Sequence, residues 1–372
     1  MRIVQVLPEL NAGGVERGTV EFARFLVEQG HESIVISAGG RQVALLEQEG
    51  SRHIAFPVHK KSLWSFTKVR SLRRLLDSID ADIVHVRSRM PAWLVWLAIG
   101  RRPRARRPGL VSTFHGLYSV NGYSAIMGCG DRVIAISECV RDYIVGNYPK
   151  VSPAKITLVH RGVDRRLFPA DFQVNAEWRE AFFSQYPELA NKPLLLMPGR
   201  LSRWKGQTEF IDLMASLKAD GIDCHGLIVG GPSPGKEEYE QELKQRVAAE
   251  GLSEMITFLG HRNDIANLYG ISRLVLNLSQ HPEPFGRTVI EALAVGTPVV
   301  AFNSGGPAES LAACFPEGLV ADGDMSTLKA KVTELLASTP AVQLSEEFTL
   351  ATQAGKTVQV YQQVLAGRGD VV

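Results

Sequence analysis

Short β-branched runs alternate with segments of helical period along the whole chain, and the alternation begins afresh near its middle. A strand–helix–strand alternation of this kind folds as a parallel sheet with helices on its faces. The first series places strands near Ile3–Leu7, Ser33–Ser37, His53–Phe56, Ile83–Val86, Leu110–Thr113, Val133–Ala135 and Ile156–Val159. Helices near Val15–Gln29, Ser65–Ser78 and Glu138–Asn147 lie between them. Gly162-Val163-Asp164 and Phe168-Pro169 then read as an exit loop. The second series runs through Leu194–Met197, Gly226–Val229, Ile256–Phe258, Leu274–Asn277 and Val299–Ala301, with helices near Gln207–Lys218, Glu237–Ala249 and Val289–Ala294. A final helix is expected over Thr349 to Gly367. Two doubly wound α/β domains are the economical reading, over residues 1–168 and 169–350, and 372 residues suit two cores better than one.

Composition narrows the class. Hydrophobic residues make up 45% and charged residues 22%, a globular mix, and no apolar run reaches the length of a membrane span. The longest, Ala92 to Ile99, is cut off by arginines. Met1 to Pro8 leads straight into a strand and offers no signal peptide, and the four cysteines have no Cys-x-x-Cys spacing. A reducing cytoplasm is the expected location. The net charge of +2 hides an asymmetry: residues 1–168 carry 25 Lys and Arg against 14 Asp and Glu, and the remainder carries 16 against 25. Within the basic half, Lys60, Lys61, Lys68, Arg70, Arg73 and Arg74 surround Leu63, Trp64, Phe66, Leu72, Leu75 and Leu76. Residues 101–107 then add five arginines. Such segments can rest on anionic lipid or can be solvated faces; the interleaved aromatics that single-stranded nucleic acid requires are missing.

Three loops at the carboxyl ends of strands carry the chemistry, since doubly wound sheets bind ligands there. Asn11-Ala12-Gly13-Gly14-Val15-Glu16 opens a helix after the first strand. It lacks the Gly-x-Gly-x-x-Gly dinucleotide fingerprint, and taken alone it equally fits an ordinary tight turn. Gly199-Arg200-Leu201-Ser202-Arg203-Trp204-Lys205-Gly206 places two cations, Arg200 and Lys205, where a strand gives way to a helix. That suits a phosphate ligand, and equally a solvated basic turn. The most specific element is Glu283-Pro284-Phe285-Gly286-Arg287-Thr288-Val289-Ile290-Glu291. There, two glutamates bracket a loop that becomes a helix, and its first-turn amides can hold a diphosphate or a sugar hydroxyl. Ile290, Leu293 and Ala294 form a core stripe, so Glu291 is expected off it, and Gly305-Gly306-Pro307-Ala308-Glu309 is expected as a further turn on the same edge. Asp80-Ala81-Asp82 precedes its strand and Asp322-Gly323-Asp324 caps a helix, so neither reads as a metal site.

With these motifs in order, the chain resembles the family 4 retaining glycosyltransferases of GT-B architecture. Thr113-Phe114-His115-Gly116 and Gly162-Val163-Asp164 add to the match, which covers nearly the whole chain. The resemblance implies two facing Rossmann-like domains, with residues 351–372 returning as a helix to the first. It implies that Arg200 and Lys205 bind the donor's diphosphate and Glu291 its ribose hydroxyls. Glu283, Phe285 and Gly286 would contact the donor sugar, with Arg287 and Thr288 in the same donor loop. Gly13 and Gly14 would lie near the phosphates, and His115 near the transferred sugar. The implied reaction moves a sugar from a nucleotide sugar, UDP-linked by preference, to a glycan or lipid-linked acceptor in envelope polysaccharide or lipopolysaccharide synthesis. No metal or other cofactor is expected, nor nucleic acid. The expected location is cytoplasmic, peripheral on the inner face of the cytoplasmic membrane. Three positions depart from the commoner pattern: Arg161 before Gly-Val-Asp, Arg287 after Phe-Gly, and Gly116 after the histidine. A nucleotide-sugar epimerase and a non-catalytic sugar-nucleotide binder are the alternatives.

Overall fold

The computed structural model describes residues 1–367 apart from Ala12, Pro234 and Thr339, with backbone alone at Leu63. The first unit holds β1 (Arg2–Val6), α1 (Gly14–Glu28), β2 (Glu32–Ser37), α2 (Val43–Gln48), β3 (Arg52–Ala55), α3 (Leu63–Phe66) and α4 (Val69–Ile79). It continues through β4 (Ile83–Val86), α5 (Arg89–Val95), β5 (Gly109–Phe114), β6 (Arg132–Ala135), α6 (Glu138–Asn147) and β7 (Ile156–Leu158). The second holds α7 (Ala176–Gln185), β8 (Leu194–Pro198), α8 (Gln207–Ala219), β9 (His225–Val229), α9 (Glu238–Ala249), β10 (Ile256–Gly260) and α10 (Ile265–Ile271). β11 (Leu274–Asn277), α11 (Arg287–Ala294), β12 (Val299–Phe302), α12 (Gly305–Cys314), β13 (Leu319–Val320) and α13 (Met325–Ala337) complete it, and α14 (Leu350–Ala366) follows.

Strand order is β3-β2-β1-β4-β5-β6-β7 in the first sheet and β10-β9-β8-β11-β12-β13 in the second, and every pairing is parallel. In each sheet the order reverses beside the first strand, between β1 and β4 and between β8 and β11, so the loops after these strands border a crevice. The inner strands are nearly continuous runs of buried residues, as a sheet covered on both faces requires, whereas the edge strands β3 and β7 hold none.

Four local readings change. The helix expected over Ser65–Ser78 is two, because Ser62 caps a short α3 and Thr67-Lys68 separates it from α4. Ala92 to Ile99 lies in α5 and a π-helical turn, Trp96–Gly100, with Leu94, Val95, Ala98 and Ile99 buried. No helix among the described residues is long and apolar enough to cross a membrane. Gly305–Glu309 is no isolated turn but the start of α12, whose Gly306 amide donates to the Glu283 carbonyl at 2.8 Å. Helices α2, α5, α7 and α10 and the two-residue strand β13 have no counterpart in the sequence reading, being too short to show a period.

The chain divides into two compact units, Met1–Gly162 with the chain from Leu350 onward, and Val163–Thr349. The first boundary falls at Gly162/Val163 rather than after residue 168, for a definite reason. Val163 forms a parallel bridge with Thr349 and donates its amide to the Phe348 carbonyl at 2.8 Å, which ties Asp164–Phe168 to the second unit. Helix α14 packs on the first sheet: Ala354, Val360, Tyr361 and Val364 share a core with Ile3, Phe22, Leu26, Ile83, Val111, Ile134 and Val159. Buried His85 links strand to helix, with Nδ1 at 2.7 Å from the Tyr361 hydroxyl and Nε2 at 2.7 Å from Thr113 Oγ1. Burial holds the imidazole neutral by pushing its pKa well below the usual value. Tyr361→Phe keeps the packing but strands a buried ring nitrogen, which costs about 1–3 kcal/mol. Chemical denaturation is expected to show a lower midpoint in this variant with an unchanged m-value.

Candidate functional site

In the second unit, β8 ends at Pro198 and the chain turns back to start α8. The loop is pinned on both sides: Gly199 and Leu201 amides donate to the Val229 and Gly231 carbonyls at 2.8 and 3.0 Å, and the Gln280 amide to the Trp204 carbonyl at 2.8 Å. Gly206 caps α8 at φ 85°, where a Cβ would lie 2.0 Å from the Leu278 carbonyl oxygen, so only glycine lets the loop sit on the end of β11. On this loop Arg200 is exposed and Lys205 half-buried. A cavity of about 450 Å³ opens beside Arg200, lined also by Ser202, Arg203, Trp204, Lys236 and Tyr239. The Ser202 and Tyr239 hydroxyls are buried in this region without a hydrogen-bond partner among the described residues.

The loop after β11 meets that loop through an ion pair. Glu283 is 4% exposed; its Oε1 contacts the Lys205 ammonium, and Asn277 Nδ2 donates to Oε2 at 3.0 Å. Burial, and secondly the Arg200 guanidinium, push the Lys205 pKa down, while the carboxylate in contact favours the charged form. Lys205 also lies over the Trp204 ring, 4.5 Å from its centroid. Gly286 then caps α11 at φ 77°, and a Cβ there would meet Pro307 at 2.6 Å. Phe285, buried, packs near Phe348 with ring centroids 6.3 Å apart, and Arg287 and Thr288 form the first turn of α11.

Glu291 does not lie off the core stripe. Every residue from Val289 to Ala294 is buried, so α11 has no open face over that stretch. The Glu291 carboxylate is held inside: Arg287 Nε donates to Oε1 at 3.2 Å and the Tyr269 hydroxyl to Oε2 at 3.3 Å. A buried carboxylate needs such partners. Arg287, the residue that departs from the commoner family pattern, supplies one of them.

Gly13, Gly14 and His115 belong to the first unit, at the carboxyl ends of β1 and β5. Gly14 opens the 15-residue α1, and its carbonyl accepts from the guanidinium of buried Arg161. Both ring nitrogens of His115 are buried with no hydrogen-bond partner among the described residues. Sequence reasoning missed Asn277, Tyr269 and Arg87. Arg87 follows the β4 run Ile83–Val86 directly, but with Arg89 two positions on the sequence does not single it out. The Asp-x-Asp segments serve structure. Asp80 ends α4 with φ 52°, Asp82 accepts the Arg2 amide at 2.7 Å, and Asp324 caps α13.

Two Rossmann-like units, each with a helix-opening loop at the point where its strand order reverses, define the GT-B fold. The Glycosyltransferase Family 4 profile matches residues 12–167, and the Glycosyl transferases group 1 profile residues 179–352. The crystal structure of a glycosyltransferase from Rickettsia africae superposes with a TM-score of 0.84 at 30% identity, covering 98% of both chains. The chain therefore belongs to the family 4 glycosyltransferases. HepE of Anabaena, solved with UDP, shares the fold with a TM-score of 0.74 at 23% identity over all of both chains. A D-inositol 3-phosphate glycosyltransferase of Mycolicibacterium smegmatis is 29% identical over 280 residues, 70% of this chain and 61% of that protein. The lipopolysaccharide core biosynthesis mannosyltransferase LpsB of Rhizobium meliloti is 36% identical over 135 residues, 36% of this chain and 38% of LpsB. The chain thus spans about three fifths or less of the length of these two curated relatives.

Lys205→Ala is expected to destabilise the second unit by about 3 kcal/mol, because it leaves the Glu283 carboxylate buried and uncompensated. Lys205→Ala/Glu283→Gln should recover most of that loss in thermal unfolding. Equal melting temperatures for wild type and the single variant would remove the pair from the account of stability.

Proposed function

We propose that the protein is a retaining glycosyltransferase that moves a sugar from a nucleotide sugar, UDP-linked by preference, to a glycan or lipid-linked acceptor in envelope polysaccharide or lipopolysaccharide synthesis. The observation that carries the reading is the Lys205–Glu283 pair at the switch point of the second sheet, with Arg200 near enough to act on the Lys205 charge and itself lining a cavity large enough for a nucleoside. UDP bound in HepE and the envelope role in the name of LpsB support the donor and the setting.

The chemistry follows from charge. As the bond between sugar and diphosphate breaks, negative charge grows on the leaving oxygens. Fixed cations and amide dipoles stabilise that charge more in the transition state than in the ground state. Arg200, on the exposed side of the loop, reaches the diphosphate; Lys205 is held in place by Glu283 and needs no reorganisation to contribute. Side chains thus supply the positive charge, and no metal is required. The first-turn amides of α11, opened by Gly286, contact the donor. The buried Glu291 acts through Arg287 and Tyr269, keeping α11 in register. Arg200→Ala is expected to lower turnover of a UDP-sugar about a hundredfold with an unchanged melting temperature. Wild-type turnover in this variant would overturn the assignment.

The basic half of the chain supports a membrane-surface setting in this reading. Trp64 is 78% exposed and Phe66 40% exposed, and Lys60, Lys61, Lys68, Arg70, Arg73 and Arg74 are exposed around them. Leu72 and Leu76 turn inward, and the side chain of Leu63 lies outside the described residues. In residues 101–107, Arg102 pairs with Asp77 and Arg107 with Asp131, leaving Arg101 and Arg106 exposed. Each cation near anionic lipid contributes about 1 kcal/mol. Full-length protein should sediment with phosphatidylserine-containing vesicles at low salt and be released by salt. Trp64→Ser should weaken the binding, and recovery of the wild type in the supernatant at low salt would overturn it.

A further inference from the structure

We propose that Arg87 and His115 form a phosphate-binding subsite in the first unit, at the carboxyl edge of its sheet. Arg87 follows β4 and His115 follows β5, beside the β1/β4 switch point where a doubly wound sheet leaves a crevice. Arg87 is 4% exposed. Its Nε donates to Gln5 Oε1 at 2.8 Å, and its guanidinium carbon lies 5.5 Å from the Phe22 ring centroid. Among the described residues no carboxylate pairs with it, and no hydrogen bond takes up its two terminal nitrogens. Burial draws its pKa down to about 10, so it keeps its charge at neutral pH. A buried cation is costly unless an anion compensates it, and the described residues supply none.

His115 shows the same deficit from the other side. Both its ring nitrogens are buried without a partner among the described residues. Burial, then Arg161, Arg87 and His85, push its pKa well below the usual value, and no carboxylate opposes them. The acids that follow β1, the strand beside β4, are engaged elsewhere: Glu9 accepts from Asn11 at 2.8 Å, and the Glu16 carboxylate lies over Gly13. A neutral ligand would leave the field at this edge unanswered. A phosphate group accepts from the Arg87 fork and from an imidazole N–H and neutralises the charge. The proposal rests on the transferase reading only for the source of the phosphate, a group on the acceptor.

Thermal unfolding of the full chain in inorganic phosphate, against acetate at equal ionic strength, tests it without turnover. Phosphate should raise the wild-type melting temperature, and the rise should survive Arg200→Ala. In Arg87→Met and in His115→Gln the apparent phosphate affinity should fall about tenfold or more, the loss of a charge-assisted hydrogen bond. Arg87→Met removes the buried charge but also the donor to Gln5 Oε1, so each variant's phosphate response is read against its own melting temperature in acetate; if Arg87→Met fails to fold, His115→Gln carries the test. No rise in the wild type, the same rise in both variants, or an equal rise from acetate would overturn the subsite. A phosphate response that persists under saturating UDP supports the acceptor as the source, and one that UDP abolishes overturns it. UDP binding by Arg200→Ala, measured separately, bears on the transferase reading alone.

Discussion

A single ion pair brings together two parts of the second unit that are far apart in sequence. Lys205 ends the loop after β8, Glu283 lies on the loop after β11, and each is held where it is by the other's charge, Glu283 also by Asn277. The neighbouring features rest on the same corner. Gly206 seats α8 on the end of β11, the Glu283 carbonyl receives the amide that starts α12, and Gly286 starts α11. Three helices therefore begin within a few residues of one salt bridge. Their positive ends and the two cations make this edge suited to an anion, and the carboxylate keeps the uncomplexed protein from carrying that charge unbalanced.

The first unit is organised differently. Its helix α1 also starts after the first strand, but its buried polar groups form a line across the sheet: Thr113, His85 and Tyr361 in one chain of hydrogen bonds, Gln5 and Arg87 in another. The first line is fully paired and fixes α14 to the sheet. The second ends in a cation that the described residues leave uncompensated. Equal burial with unequal pairing separates a group that holds the fold from one that is kept for a ligand.

Much of this was legible in the sequence. The β-branched runs located twelve of the thirteen strands, because strands covered on both faces must be apolar throughout, and strand-end loops drew attention to Arg200, Lys205, Glu283 and His115. The rest depended on partners distant in sequence. Glu291 looked like a surface acid because its helical position lay off the stripe of Ile290, Leu293 and Ala294. Only the placement of Tyr269 and Arg287 shows that the helix is buried over that stretch. Arg87 passed unremarked because nothing in a linear chain distinguishes a cation with a carboxylate waiting for it from one without. The boundary at Gly162 was shifted by a backbone bond from Val163 to Phe348, which no local pattern encodes.

Helix α14 also has a bearing on biosynthesis. The core of the first unit draws Ala354, Val360, Tyr361 and Val364 from a segment that is translated after the whole of the second unit. The second unit, Val163–Thr349, has its whole sequence in hand earlier. Domains generally fold in the order in which they leave the ribosome. In this chain, however, residues 1–162 must wait with an open apolar seam along β1 and β5 until α14 has been made, while the unit made after them can close first. A nascent chain stalled short of Leu350 would therefore hold a completed inner unit and an unfinished outer one, a natural client for chaperones.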